Sequence, residues 1–257
     1  MLRQEHLLQP IQAAVTYCLS TGNTLAINDA LTVNSVELTV SANLTIAFTG
    51  AGSLIASTGL SAPVLKFTGT FPTTKYRLEI HNPKVDCSAG TYTVGASSCT
   101  AIDINYVGDA RIYGGRLYGG ESPSNTNADT GISSVMCGSV VVDGTLIRGF
   151  ADAGFYPNGG PDVSAEYMSA DLVNVTFERC NSAVSAKREL SILRAKGCVV
   201  YECDEGITTQ WVTTPTARPP CKRVEITDCA FEKILAGAVT LKKTTGFVSG
   251  CTVKDWG

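Results

Sequence analysis

The chain has 257 residues, of which 44% are hydrophobic and 17% are charged, so it can bury a large core. A net charge of −3 gives no basic surface of the kind that nucleic-acid binding requires. No segment reaches the roughly 20 apolar residues of a membrane-spanning helix, so we expect no membrane insertion.

The first predicted element is an amphipathic helix over residues 10–19. Pro10 stands in its first turn and Gly22 lies just past its end, as helix boundaries favour. One face carries Ile11, Ala14, Val15, Cys18 and Leu19. Such a helix suits the open end of a solenoid, whose core would otherwise meet water. We predict an N-terminal cap over 1–34, with first strands at 24–27 and 31–33, and a solenoid over 35–257.

One short phrase then recurs along the rest of the chain. It is clearest at 110–120 and 139–149, and it returns at 172–180, 196–203 and 223–233. One anchor per phrase can be aligned, at intervals of 22 to 32 residues: Gly52, Pro83, Gly115, Gly144, Val175, Cys198, Cys229 and Cys251. A repeat of this length indicates stacked structural units.

Apolar and mostly polar residues alternate around each anchor, which places the two sets on opposite faces of a strand. The position two places after the anchor predicts an inward ladder that includes Leu146, Phe177, Val200 and Phe231. The position three places before it predicts a second inward row, which includes Val141. An outward row is predicted to include Tyr118, Ile147 and Tyr201.

A third short strand follows each phrase, for example at 131–134, 183–185 and 237–240. Three short strands per coil without a helical period predict an all-β fold, a single-stranded right-handed parallel β-helix. A sandwich would need hairpin turns every 8–12 residues, and it would not explain the shared register. The chain ends within a coil, at 254–257, so we expect the β-helix to be truncated there and to be part of a longer protein.

The opening residues resemble a known family. Residues 9–27, Gln-Pro-Ile-Gln-Ala-Ala-Val-Thr-Tyr-Cys-Leu-Ser-Thr-Gly-Asn-Thr-Leu-Ala-Ile, followed by Leu31-Thr32-Val33, are similar to the start of pectate-lyase-like β-helix proteins. The Asn-Thr-Asp, Asp-Asp, Gly-His-Gly and Arg-Ile-Lys patches of polygalacturonases do not occur in this sequence, and the calcium-binding aspartate clusters of pectate lyases are not recognisable. In character the chain is closest to bacteriophage tailspikes and capsular polysaccharide depolymerases.

That resemblance implies a homotrimeric virion tail protein that binds, and in many cases cleaves, a bacterial capsule or lipopolysaccharide. Residues 1–9 lack the apolar run of a signal peptide, so the chain is expected to be made in the host cytoplasm or to have lost a leader; an extracellular location is the alternative. A non-catalytic shaft or adhesin segment remains a second interpretation. A secreted pectate lyase or polygalacturonase-like enzyme is a third.

Two insertions define the predicted glycan site. Residues 157–167 and 211–220 follow the third strand of two coils, and the coil between them has only a short connection. They would form the walls of a cleft with 185–189 as its floor. Aromatic and charged side chains suit sugar binding, so the predicted substrate-binding residues are Tyr156, Tyr167, Lys187, Arg188, Trp211 and Arg218.

Hydrolysis of a glycosidic bond requires two carboxylates, and the candidates in this cleft are Asp162, Glu166 and Glu189. In a lyase, Lys187 or Arg188 would instead neutralise a uronate while a base removes the proton. A rival site is the protrusion that insertions 88–100 and 121–130 would form in adjacent coils. It contains Tyr92, Glu121 and Asp129. Asp152, in a later turn, is assigned a structural role.

The ten cysteines follow the repeat: Cys198, Cys229 and Cys251 share the anchor position, and Cys180 and Cys203 share another. Small thiols suit a narrow corner of the core, so we expect free thiols, although stacked neighbours at ~4.8 Å also fit the Cα spacing of a disulfide. The sequence has two histidines and no Cys-x-x-Cys pair, so neither a metal nor another cofactor is expected.

Overall fold

A computed structural model describes residues 5–93, 98–122, 127–159, 168–187, 190–210 and 221–255. The chain begins with a helix, α1 (Glu5–Thr21), and continues as strands wound into nine coils. The first three coils contain β1 (Thr24–Ile27), β2 (Ala30–Val33), β3 (Val36–Thr39), β4 (Leu44–Phe48), β5 (Ser53–Ala56), β6 (Leu65–Thr68), β7 (Arg77–His81), β8 (Lys84–Asp86) and β9 (Thr100–Asn105).

The next three coils contain β10 (Asp109–Tyr113), β11 (Arg116–Tyr118), β12 (Thr130–Val135), β13 (Ser139–Asp143), β14 (Leu146–Arg148), β15 (Ala153–Asn158), β16 (Ser169–Val173), β17 (Thr176–Glu178) and β18 (Ser182–Lys187). The last three contain β19 (Leu190–Lys196), β20 (Val199–Tyr201), β21 (Glu205–Gln210), β22 (Cys221–Thr227), β23 (Ala230–Glu232), β24 (Gly237–Thr240), β25 (Thr245–Ser249) and β26 (Thr252–Lys254).

Every third strand joins the same parallel sheet, so the fold is the predicted right-handed parallel β-helix. Sheet A runs from β1 through β4 to β25, sheet B from β2 through β5 to β26, and sheet C from β3 through β6 to β24. Each strand pairs with its equivalent in the next coil. No helix among the described residues is long and apolar enough to cross a membrane.

The core is a set of ladders, one residue per coil. The inward ladder of sheet B is Leu31, Leu54, Val85, Leu117, Ile147, Phe177, Val200, Phe231 and Val253. From Leu54 to Phe231 its members are all buried. Predicted members Phe177, Val200 and Phe231 are confirmed.

The prediction is wrong at one coil. Leu146, predicted inward, pairs with Arg116 and Thr176 in the outward row. Its neighbour Ile147, predicted outward, is 0% exposed and belongs to the ladder. The same shift by one residue replaces Val141 with Val142 in sheet A.

The cause of the shift is a turn that demands a left-handed backbone between sheets A and B. Gly114 and Gly144 occupy it in successive coils, with φ of 63° and 64°. The true counterpart of the anchor Gly115 is therefore Thr145, whose Oγ1 donates a hydrogen bond to the carbonyl of Gly114 at 2.8 Å. Because Gly144 was aligned with Gly115 and not with Gly114, the predicted register of this coil was wrong by one residue.

The helix covers the N-terminal end of the core, as expected. Val15 and Cys18 are buried, and Ile11 and Leu19 pack against the core. Gly22 ends the helix with φ of 72°, and its N–H donates to the carbonyl of Cys18. The helix starts earlier than predicted, so Pro10 lies within it and not in its first turn. Its fixed φ is compatible with a helix, at the loss of one backbone hydrogen bond.

All ten cysteines are free thiols, and all except Cys251 are buried. The shared positions are real, because Cys198 and Cys229 immediately precede the paired strands β20 and β23. Several thiols also reach a main-chain carbonyl; Cys137 Sγ lies 3.4 Å from the oxygen of Ile104. The cysteines therefore serve as small core residues.

Candidate functional site

The segments that were predicted to form the cleft follow three neighbouring strands of sheet C. Asn158 of β15 pairs with Lys187 of β18, and Lys187 pairs with Gln210 of β21. The connections that follow these strands span 159–168, 188–189 and 211–220. The predicted order of long, short and long connections is therefore present along one sheet edge.

Tyr156 and Lys187 are brought together there. Lys187 Nζ lies 4.4 Å from the centroid of the Tyr156 ring, so one face of the ring is occupied by a cation. Of the predicted floor, Ser185 and Ala186 are fully buried, and only Lys187 reaches the surface among its described residues. A sugar above this floor would meet the ammonium group before the ring.

The other predicted residues fall outside the described part of the chain, and their roles stay predictions. They are Asp162, Glu166, Tyr167, Arg188, Glu189, Trp211 and Arg218.

A pair of aspartates lies at the other end of sheet C. Asp129 directly precedes β12 and Asp152 directly precedes β15, and the Asp152 N–H donates to the carbonyl of Asp129 at 2.9 Å. Thr130 and Ala153, the next residues, are register partners, so the two aspartates stack at about the inter-strand spacing of ~4.8 Å. Consecutive coils thus present two neighbouring carboxyl groups.

The surroundings of Asp129 disfavour its charged form. Burial, and then the charge of Asp152, raise the pKa of Asp129 to about 6, while Lys187 acts in the opposite direction. Burial and the charges of Asp129 and Asp152 also raise the pKa of Tyr92. Tyr92, Asp129, Asp152 and Lys187 thus interact electrostatically, and Tyr156 contacts Lys187; we call these five residues the sheet C face.

Sequence reasoning separated these residues. Tyr92 and Asp129 were assigned to the rival protrusion, Lys187 and Tyr156 to the cleft, and Asp152 to a structural turn. The insertions of that protrusion do join sheet B to sheet C in consecutive coils, as expected. The sequence could have paired Asp152 with Asp129, because each stands directly before the third strand of its coil and the two coils are consecutive.

Glu121, the remaining residue of the predicted protrusion, faces sheet B. The Tyr118 hydroxyl donates to Glu121 Oε1 at 2.7 Å, and Arg148 forms an ion pair with Oε2. The Tyr118 hydrogen bond and the charges of Arg148 and Arg179 lower the pKa of Glu121. Glu121 is thus held in a network of ion pairs, unlike Asp129.

No protein-family model and no curated protein matches the sequence. Three solved structures are similar in shape. ORF18 of Geobacillus virus E2 has 11% identity and a TM-score of 0.38, over 91% of this chain and 54% of that protein. Tailspike protein 2 of the Escherichia coli O157:H7 bacteriophage CAB120 has 12% identity and a TM-score of 0.45, over 93% and 36%. The Dettilon tailspike protein has 11% identity and a TM-score of 0.32, over 93% and 64%.

The chain spans less than two thirds of the length of each of these proteins. At this level of identity the likeness concerns the fold alone, and the assignment of the β-helix rests on the three parallel sheets.

Proposed function

We propose that the protein is a tailspike-like β-helix that binds a bacterial surface polysaccharide on the sheet C face and hydrolyses it. The observation that carries this proposal is the stacked pair Asp129 and Asp152, next to Tyr92 and within the electrostatic reach of Lys187. Glycoside hydrolysis needs one carboxyl group that donates a proton and a second carboxyl group beside it.

The roles follow from the environments. With a pKa of about 6, Asp129 keeps a proton in mildly acidic solution and can donate it to the leaving glycosidic oxygen. Asp152 would act as the carboxylate that attacks the sugar or activates water. The separation of the two carboxyl groups decides between a retaining mechanism, at roughly 5–5.5 Å, and an inverting one, at roughly 6.5–9.5 Å.

Lys187 is suited to orient a hydroxyl or carboxylate group of the sugar, since its ammonium already lies over Tyr156. Asp162, Glu166 and Glu189 remain alternative carboxylates from the predicted cleft. If one of them is essential and the stacked pair is not, the reaction centre lies at the other end of the sheet.

Side-chain substitution tests the proposal. Purified capsular polysaccharides and lipopolysaccharides would be incubated with the wild type, Asp129→Asn and Asp152→Asn, and both polymer length and new reducing ends would be measured. We expect the wild type to shorten one polymer and each variant to lose about 10²-fold or more in rate. Asp204→Asn is the matched control, because residue 204 precedes β21 as 152 precedes β15.

Full activity in both variants would refute the catalytic pair. Products that carry an unsaturated sugar instead of a hydrolysed one would identify a lyase. Binding without any cleavage would favour the second candidate, a non-catalytic shaft or adhesin.

The outer face of sheet B supports that second candidate. Arg179 Nε lies 2.8 Å from Glu202 Oε2, and Lys233 Nζ lies 3.0 Å from Glu202 Oε1. Together with the Glu121 pairs, these contacts connect the outer surfaces of successive coils and would stiffen a shaft.

We also propose that the full-length protein is a homotrimer of the virion tail. Val199 is 41% exposed and Leu235 is 63% exposed, which is apolar surface that subunit packing would cover. Light scattering of the full-length protein would test the assembly, and a monomer would contradict it.

A further inference from the structure

A groove of about 530 Å³ lies on the outer face of sheet B. Its lining comes from coils two to five and from the start of the 119–129 connection: Ser53, Ile55, Lys84, Val85, Asp86, Arg116, Leu117, Tyr118, Glu121, Leu146 and Arg148. This volume is in the range of small-ligand sites. The 87–99 and 119–129 connections join sheet B, which carries the groove, to sheet C.

Two cations stand side by side in this groove. Lys84 and Arg116 are register partners on the adjacent strands β8 and β11. Like charges on neighbouring strands repel, so an anion that contacts both side chains would relieve this repulsion. Among the described residues, neither side chain has a carboxylate within ion-pairing distance; Lys84 Nζ donates only to the carbonyl of Gly50, at 2.7 Å.

The acidic residues of the groove are already engaged. Asp86 Oδ1 accepts hydrogen bonds from the N–H and the hydroxyl of Ser88, at 2.9 and 2.6 Å. Glu121 is paired with Arg148 and with the Tyr118 hydroxyl. Arg116 is exposed and projects a planar guanidinium, whose geometry suits two-point binding of a carboxylate.

The remaining surface suits a sugar ring. Tyr118 and Arg148 are register partners, and Leu146 lies beside Arg116. The Tyr118 ring is fixed through its hydroxyl, and apolar contact area is added by Ile55 in the outward row of Tyr118 and by Leu146 in the outward row of Arg116. Fixed aromatic and apolar surface with a few convergent polar groups is characteristic of carbohydrate sites.

We infer that this groove is a second glycan site, which binds a carboxylate-bearing sugar through Arg116 and Lys84 with its ring against Tyr118. The inference rests on the proposed function and names an acidic polysaccharide as its substrate class. Two members of the sheet C face, Tyr92 and Asp129, belong to the connections that join sheet B to sheet C, so a long polymer would bridge the groove and that face. The groove would thus anchor substrate without taking part in the chemistry.

Binding can be measured by calorimetry on the whole chain, with a uronic-acid tetrasaccharide as probe and a neutral glucose tetrasaccharide as its counterpart. We expect the acidic probe to bind and the neutral one to bind roughly tenfold or more weakly. Arg116→Gln and Tyr118→Ala should each weaken the acidic probe by about tenfold. Arg111→Gln is the control, because Arg111 lies in the same coil on sheet A and is paired with Asp109 at 3.1 Å.

Three outcomes would overturn the inference: equal affinity for the neutral probe, unchanged affinity in Arg116→Gln, or competition by inorganic sulfate as strong as by the acidic sugar. The last would indicate a simple anion site. If the wild type binds the acidic probe through Arg116 and Tyr118 and cleaves no polysaccharide, the groove stands and the catalytic proposal fails.

Discussion

Replacing Phe177 tests the corrected core register. Its ring is fully buried between Ile147 and Val200 in the sheet B ladder, and it also reaches the next sheet, because a Cβ added at Gly154 would lie 2.5 Å from Phe177 Cδ1. Phe177→Ala removes most of an aromatic side chain from a closed core and should destabilise the fold by roughly 3–5 kcal/mol. Gly154→Ala should cost roughly 1–3 kcal/mol, through contact with the ring.

The double variant separates this packing from general damage. With the ring removed, the new methyl group meets mainly the carbonyl of Ala183, at 2.9 Å. The destabilisation of the double variant should therefore be smaller than the sum of the two single destabilisations, by about 1 kcal/mol or more. Urea unfolding followed by circular dichroism measures all four proteins. Thr176→Ala, on the outward side of the same strand, should change stability by no more than about 0.5 kcal/mol. Strict additivity, or a large effect of the control, would refute the packing described here.

Three further predictions concern titration and thiols. The folded pKa of Asp129, about 6, exceeds its ordinary value of 3.8, so its contribution to stability is full below pH 3.8 and lost as the pH rises through 6. As the pH rises from 3.8 to 6, the melting temperature of Asp129→Asn should therefore increase relative to that of the wild type. A constant difference between the two melting temperatures would contradict this. Hydrogen bonds from Tyr201, Arg179 and Lys233 hold the pKa of Glu202 at about 2, against an ordinary 4.5. Wild-type stability should thus fall more steeply than that of Glu202→Gln as the pH drops from 4.5 to 2, and parallel curves would refute the network. In the native protein a thiol reagent should react quickly with Cys251 alone. After unfolding without reductant it should react with all ten cysteines, and fewer than ten reactive thiols would reveal disulfides.

The sequence predicts the fold well because each coil repeats the same physical problem. The inward positions of sheet B are apolar in successive coils, as Phe177, Val200 and Phe231 show. The error at Leu146 arose where two neighbouring residues were both apolar, so alternation could not decide between them. Only the left-handed turn at Gly144 fixes which of the two enters the core.

The functional surfaces were harder to predict, because they depend on which coils lie next to each other. Asp129 and Asp152 are 23 residues apart in the sequence and become neighbours only through the register of β12 and β15. Lys84 and Arg116 likewise become neighbours only through the register of β8 and β11. Lys187 and Tyr156 were correctly placed together, since both lie where one sheet edge meets the predicted cleft. That the ammonium lies over the ring is a detail of side-chain packing that the pattern does not encode.

The most direct test is a structure of Asp129→Asn bound to an oligosaccharide prepared from the polysaccharide that the wild type cleaves. The variant removes the proton donor but should leave the binding surface intact. The proposed function predicts a glycosidic oxygen within hydrogen-bonding distance of residue 129, with Asp152 beside the anomeric carbon and Lys187 in contact with the sugar. A sugar bound over another carboxylate, with residues 129 and 152 untouched, would contradict it.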